Sequence, residues 1–148
     1  VIRHGTAVLL SSAEHPPAAV FIRGASGSGK SDLAFRLLAQ GAVLISDDQV
    51  ELEKRQERIF AGAIDAIRGL VEVRGVGLLR YPVADPAPLK LVIDLVPRED
   101  VPRLPEWKDM DIIGVRVPVL KLFGFDASAP CKVRAAMTVV HHPEMIIK

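Results

Sequence analysis

Ala18-Ala19-Val20-Phe21-Ile22-Arg23 leads straight into Gly24-Ala25-Ser26-Gly27-Ser28-Gly29-Lys30-Ser31, and that stretch into Asp32-Leu33-Ala34-Phe35-Arg36-Leu37-Leu38-Ala39-Gln40. The first run has the length and apolar composition of a strand. The last has apolar residues at helical spacing, Leu33 with Leu37 and Ala34 with Leu38, and Gly41 is placed to cap it. The middle stretch fits G-x-x-x-x-G-K-S in full, between the strand and the helix that this motif requires. Its glycines let successive backbone N–H groups turn toward one anion, and the positive end of the following helix adds to that field. On this reading Gly24, Ala25, Ser26, Gly27, Ser28, Gly29, Lys30 and Ser31 form a P-loop that binds nucleotide. Lys30 reaches the β- and γ-phosphates, and the Ser31 hydroxyl ligates Mg²⁺.

Working outward, Val43-Leu44-Ile45-Ser46 is a short apolar strand that ends on Asp47 and Asp48. Strand, loop, helix and strand make a βαβ unit, which brings the two carboxylates near the phosphates. One carboxylate can hold Mg²⁺ while the other accepts a proton from an incoming hydroxyl. The residues alone leave open which does which, and an Asp pair also commonly opens a turn. Val50–Glu53 and Ile59–Gly62 read as strands around a polar turn, and Leu70–Gly77 as a strand running into a glycine-rich bend. There Glu72 and Arg74 occupy alternate positions on one face. They suit a second magnesium ligand and a phosphate-binding guanidinium, or simply a solvated face. Gly75 and Gly77 suggest close approach of the backbone to something else.

Leu89–Val96 reads as a central strand, Pro97–Asp109 as an exposed loop with one helical turn, and Ile112–Val117 as a last strand stopped by Pro118. Ser128–Val140 reads as a helix with Ser128 as N-cap and Pro130 in its first turn. The pattern predicts a single α/β domain over residues 1–148 with a mixed sheet. His4, in an N-terminal strand, is either inert or a partner that orients an acidic base. His141 and His142 read as tail residues, and Cys131 as a helix residue without a role.

Composition narrows the classes. The chain has 148 residues, 49% hydrophobic and 25% charged, which suits one packed domain. Lys plus Arg is 19 against 18 for Asp plus Glu, a balance that argues against a sequence-independent nucleic-acid binder. One Trp, one Tyr and five Phe supply no visible stacking platform for nucleic acid. No apolar stretch approaches the roughly 20 residues that span a bilayer. No signal peptide is visible, and the lone cysteine excludes an internal disulfide, so a cytoplasmic protein is expected. The start at Val1 rather than Met suggests an excised or trimmed domain.

His4-Gly5, the Gly24–Ser31 loop, Ile45-Ser46-Asp47-Asp48 and Glu72-Val73-Arg74-Gly75-Val76-Gly77 stand in the order and spacing of the bacterial HPr kinase/phosphorylase catalytic domain. The chain resembles that family over residues 2–122. The family's nucleotide-binding core in turn resembles that of ATP-dependent phosphoenolpyruvate carboxykinase. The resemblance implies transfer of phosphate from ATP, or from pyrophosphate, to a regulatory serine of the phosphocarrier protein HPr. It also implies the reverse phosphorolysis, in which phosphate attacks phosphoserine and pyrophosphate leaves. By resemblance Lys30 contacts phosphate, Ser31 and Glu72 are metal ligands with Asp47 beside them, and Asp48 is the general base, with Asp47 as the alternative. By resemblance, too, His4 adjoins this base and Arg103 matches a family arginine used with phosphate; in the mechanism read from the residues, Arg74 helps to hold the phosphoryl group. Homohexamers are common in the family.

Two departures stand out. Longer members carry an N-terminal domain, so the chain resembles a short form or an isolated catalytic domain. They also carry a Gly-Arg-Asn segment tied to phosphorolysis, where this chain has Leu122-Phe123-Gly124-Phe125-Asp126-Ala127-Ser128. The kinase half is therefore better supported than the phosphorylase half. Two rival readings are a small-molecule P-loop kinase, for which no arginine-rich lid is visible, and a non-enzymatic ATP-binding switch, which would need no Asp base.

Overall fold

The apolar run that ends at Arg23 lies in the middle of the sheet. In the computed structural model, which describes residues 1–147, the chain begins with β1 (Ile2–His4), β2 (Thr6–Ser12), β3 (His15–Gly24), α1 (Lys30–Ala39) and β4 (Val43–Ser46). It continues with β5 (Gln49–Arg55), β6 (Arg58–Gly62), β7 (Leu70–Val73), β8 (Gly77–Arg80) and β9 (Ala87–Leu95). It closes with β10 (Lys108–Ile112), β11 (Val115–Leu122) and α2 (Ala129–His141). The main sheet takes the order β1-β5-β6-β9-β3-β2-β4, β10 and β11 join it through β9, and β7 and β8 form a separate ladder. β3 runs parallel to β9 and antiparallel to β2, and β9 runs parallel to β11, so the sheet is mixed as read.

β3 is buried on both faces because both of its alternating sets are apolar. Ala18, Val20 and Ile22 face a core that Leu33 and Leu37 of α1 and Val133 and Met137 of α2 cover. Ala19 and Phe21 face a second core with no helix over it. Val50, Leu52, Ile59, Ala61, Ile112 and Val117 close it instead, so the sheet curls back over itself. No helix among the described residues is long and apolar enough to cross a membrane.

Several readings need correction. β3, α1 and β4 do form strand, helix and strand, but β2 lies between the two strands, antiparallel to both. Ile112–Val117 is not one strand: Ile113 (φ 51°) and Gly114 (φ 82°) turn the chain between β10 and β11. Pro118 does not stop β11, because pairing with β9 begins only at Val119 and no ladder bond to β9 is lost. Arg74 lies in the turn beyond β7 and shares no strand face with Glu72. A Cβ at Gly75 or Gly77 would meet nothing within 4 Å, so the positive φ of the turn explains these glycines rather than close approach. Ser128 stands before α2 but its side chain makes no cap bond. His141 and His142 are held: the His141 ring stacks on His15 with centroids 4.8 Å apart, and His142 Nε2–H donates to Glu14 O at 2.5 Å.

Candidate active site

Two short segments pass each other in register at the head of α1. β2 pairs with β4 through Ala7 and Ser46, and β1 pairs with β5 through His4 and Gln49. The two turns between these pairs, His4-Gly5-Thr6 and Asp47-Asp48, are therefore forced together. Gly5 N–H donates to Asp48 O at 2.9 Å, which fixes the approach. Asp48 itself has φ 68°, a left-handed conformation that Asp tolerates better than most residues. Such an outlier is a mark of functional sites.

The two carboxylates have different surroundings. Asp47 Oδ1 accepts hydrogen bonds from Ser31 Oγ and from Thr6 Oγ1, each at 2.8 Å. Asp48 points outward, 73% exposed, with His4 Nδ1 3.5 Å from its Oδ1. Thr6 was not read from the sequence as part of the site. The available signal was a polar residue, now fully buried, opening an otherwise apolar strand next to His4-Gly5.

The Gly24–Ser31 loop supplies positive charge. The Lys30 side chain is buried, and its ammonium donates to Gly24 O at 2.7 Å and Ala25 O at 3.0 Å. Among the described residues no carboxylate pairs with it. A buried ammonium held only by carbonyls is costly and suits an incoming anion. Gly27 and Gly29, at φ 82° and 99°, hold the turn that aims the loop at the first turn of α1. Ser28 Oγ is buried with no hydrogen-bond partner among the described residues. Behind the loop, Arg23 of β3 and Asp94 of β9 form a two-pronged cross-strand pair at 2.7 and 2.8 Å.

Glu72 lies exposed on β7, Arg74 in the following turn, and Arg103 in the exposed loop after β9. Among the described residues no hydrogen bond or ion pair joins any of them to the Asp47 group, and no three His, Cys, Asp or Glu residues gather as a metal cage. The hard oxygens of Ser31 and Asp47 instead fit a magnesium ion that draws its other ligands from phosphate and water.

The comparisons with known proteins give the family and the fold. Residues 6–127 match the family described as HPr Serine kinase C-terminal domain. The HPr kinase/phosphorylase of Verminephrobacter eiseniae is 38% identical over 116 residues, 70% of this chain and 36% of that one. That of Caldicellulosiruptor bescii is 32% identical over 141 residues, 81% of this chain and 41% of that one. The chain thus spans 36–41% of the length of these relatives. Among solved structures, the Hpr(Ser) kinase/phosphatase from Coxiella burnetii shares the fold with a TM-score of 0.81 at 21% identity, over 98% of both chains. A P-loop-like sequence, an Asp pair held against it and a matching fold converge on one conclusion: this chain belongs to the HPr serine kinase C-terminal domain family.

Proposed function

We propose that this chain is a serine protein kinase domain that transfers the γ-phosphoryl group of ATP to a regulatory serine of HPr. The observation that carries the reading is the buried Lys30 ammonium, which donates to two carbonyls at the end of a glycine loop, with the next residue, Ser31, engaging Asp47 and with Asp48 exposed beside His4. Lys30 exchanges its carbonyl partners for phosphate oxygens, and the loop N–H groups bind the rest of the polyphosphate. Ser31 and Asp47 hold Mg²⁺, which when bound offsets charge on the phosphates. Asp48, exposed beside His4, takes the proton of the acceptor serine as the serine oxygen forms the new O–P bond and ADP leaves with the electrons of the broken one. His4 orients the Asp48 carboxylate. Asp47, bound by two hydroxyls, is less suited to act as base, which favours Asp48. Glu72 as a further metal ligand, and Arg74 and Arg103 on phosphate, belong to the proposal through the family resemblance.

The same reading makes the Gly24–Ser31 stretch a P-loop within a core of the phosphoenolpyruvate carboxykinase type, in one cytoplasmic domain that assembles as a homohexamer. The phosphorolytic reaction, phosphate attacking phosphoserine-HPr to release pyrophosphate, belongs to the proposal with less support. No arginine stands in Leu122–Ser128.

The deciding experiment is transfer of labelled phosphate from ATP and Mg²⁺ to purified HPr, followed by addition of inorganic phosphate. Label on an HPr serine supports the kinase, and its later release as pyrophosphate supports the reverse step. Label on a metabolite with none on HPr would replace this reading with a small-molecule kinase.

A further inference from the structure

A glycine loop with a lysine binds any polyphosphate; what makes a donor a nucleotide is a surface for its base. The loop between β11 and α2 lies directly against the Gly24–Ser31 loop. A Cβ at Gly124 would stand 2.6 Å from Ser28 O, and a Cβ at Gly29 would stand 3.1 Å from two ring carbons of Phe125. At Gly124 a side chain would clash with the Ser28 carbonyl, and at Gly29, glycine already for its φ of 99°, one would press on the Phe125 ring.

Phe125 is nonetheless 54% exposed. Its position is held from several sides rather than by burial. Arg36 of α1 donates to the carbonyls on either side of it, Gly124 O and Asp126 O, the latter at 2.9 Å. Arg98 binds Asp126 Oδ1 at 2.5 Å and lies 4.5 Å over the Phe123 ring. Phe123 meets Phe125 edge to face, with centroids 5.7 Å apart. An aromatic ring fixed beside a phosphate-binding loop, with much of its surface open, is a stacking platform. The loop also follows the last parallel strand, at the carboxyl ends where α/β sheets hold their ligands.

We propose that Phe125 stacks against the base of the phosphate donor and so makes a nucleoside triphosphate, rather than a bare polyphosphate, the preferred donor. This rests on the reading of Gly24–Ser31 as the phosphate cradle. Stacking uses the π-face that every base shares, so ATP and GTP should bind within a few-fold of each other.

Calorimetric titration of the full chain, in Mg²⁺, with ATP, GTP and tripolyphosphate tests this. The wild type should bind ATP about tenfold more tightly than tripolyphosphate, a gap in the range of one base stacked on one aromatic side chain. Phe125→Ala should close that gap with tripolyphosphate affinity unchanged, and Phe125→Trp should keep it. Equal affinities in the wild type, or a gap that survives Phe125→Ala, would overturn the stacking role and leave the cradle standing. Loss of tripolyphosphate binding in Phe125→Ala, or loss of the gap in Phe125→Trp, would assign the residue to loop packing instead. If the wild type bound none of the three, the cradle itself would fall.

Discussion

Gly5 is the residue on which the site's geometry turns. Its φ is 153°, and a Cβ there would stand 2.7 Å from Ile22 O. Its N–H holds Asp48 O, so anything that moves Gly5 moves the carboxylate. Gly5→Ala is expected to cost about 1–3 kcal/mol by overpacking, read as a lower midpoint in guanidinium chloride, and to slow phosphoryl transfer as well. The two aspartates should separate in kinetics. Asp48→Asn should lower kcat by about 10²–10⁴-fold at saturating Mg²⁺. Asp47→Asn should act chiefly by raising the Mg²⁺ concentration needed for half-maximal rate. Near wild-type transfer by Asp48→Asn would transfer the base role elsewhere. The sequence pointed to both aspartates but not to their division of labour. That division comes from Ser31 and Thr6, 16 and 41 positions away along the chain, whose hydroxyls converge on one oxygen.

Among the elements, β3 and β9 form the base from which the glycine loop rises. Their last paired residues include Arg23 and Asp94, side chains 36% and 27% exposed, joined by two hydrogen bonds. Partial exposure weakens such a pair, so Asp94→Asn is expected to cost only about 1 kcal/mol of stability by thermal or chemical denaturation. Elements with their own signal were readable. α1 announced itself through Leu33, Leu37 and the closing Gly41, whose N–H bonds to Leu38 O at 3.1 Å as a terminal glycine should. Lys108 and Asp109, the first two residues of β10, read as loop because they and Asp111 hide any apolar pattern, and the strand state depends on the partner β11 supplies. β2 lacks a readable signal for another reason. Its apolar residues belong to no motif, and its place between β3 and β4 is a matter of pairing rather than of local preference.

At the scale of the molecule, both faces of β3 and β9 carry apolar cores, one under the helices and one inside the curl of the sheet. The shared strands couple them, so the chain should unfold in one step. Leu37→Ala in the first core and Leu52→Ala in the second should each cost about 2–5 kcal/mol. Both should shift a single transition in which circular dichroism and Trp107 fluorescence coincide; two separated transitions would show that the cores fold independently. The amino-acid sequence by itself determined the glycine loop with its flanking strand and helix, the mixed α/β class and the identity of the Asp pair. Those signals are local: glycine's freedom at positive φ, helical and strand periodicity, and fixed motif spacing. Only the tertiary structure decided that the sheet curls over a helix-free core, that Thr6 and Ser31 bind one carboxylate while the other stays exposed beside His4, and that Phe125 lies on Gly29. Each of these depends on which strands pair and which loops meet. Pairing between distant segments is set by the packing of the whole chain, which no local pattern encodes.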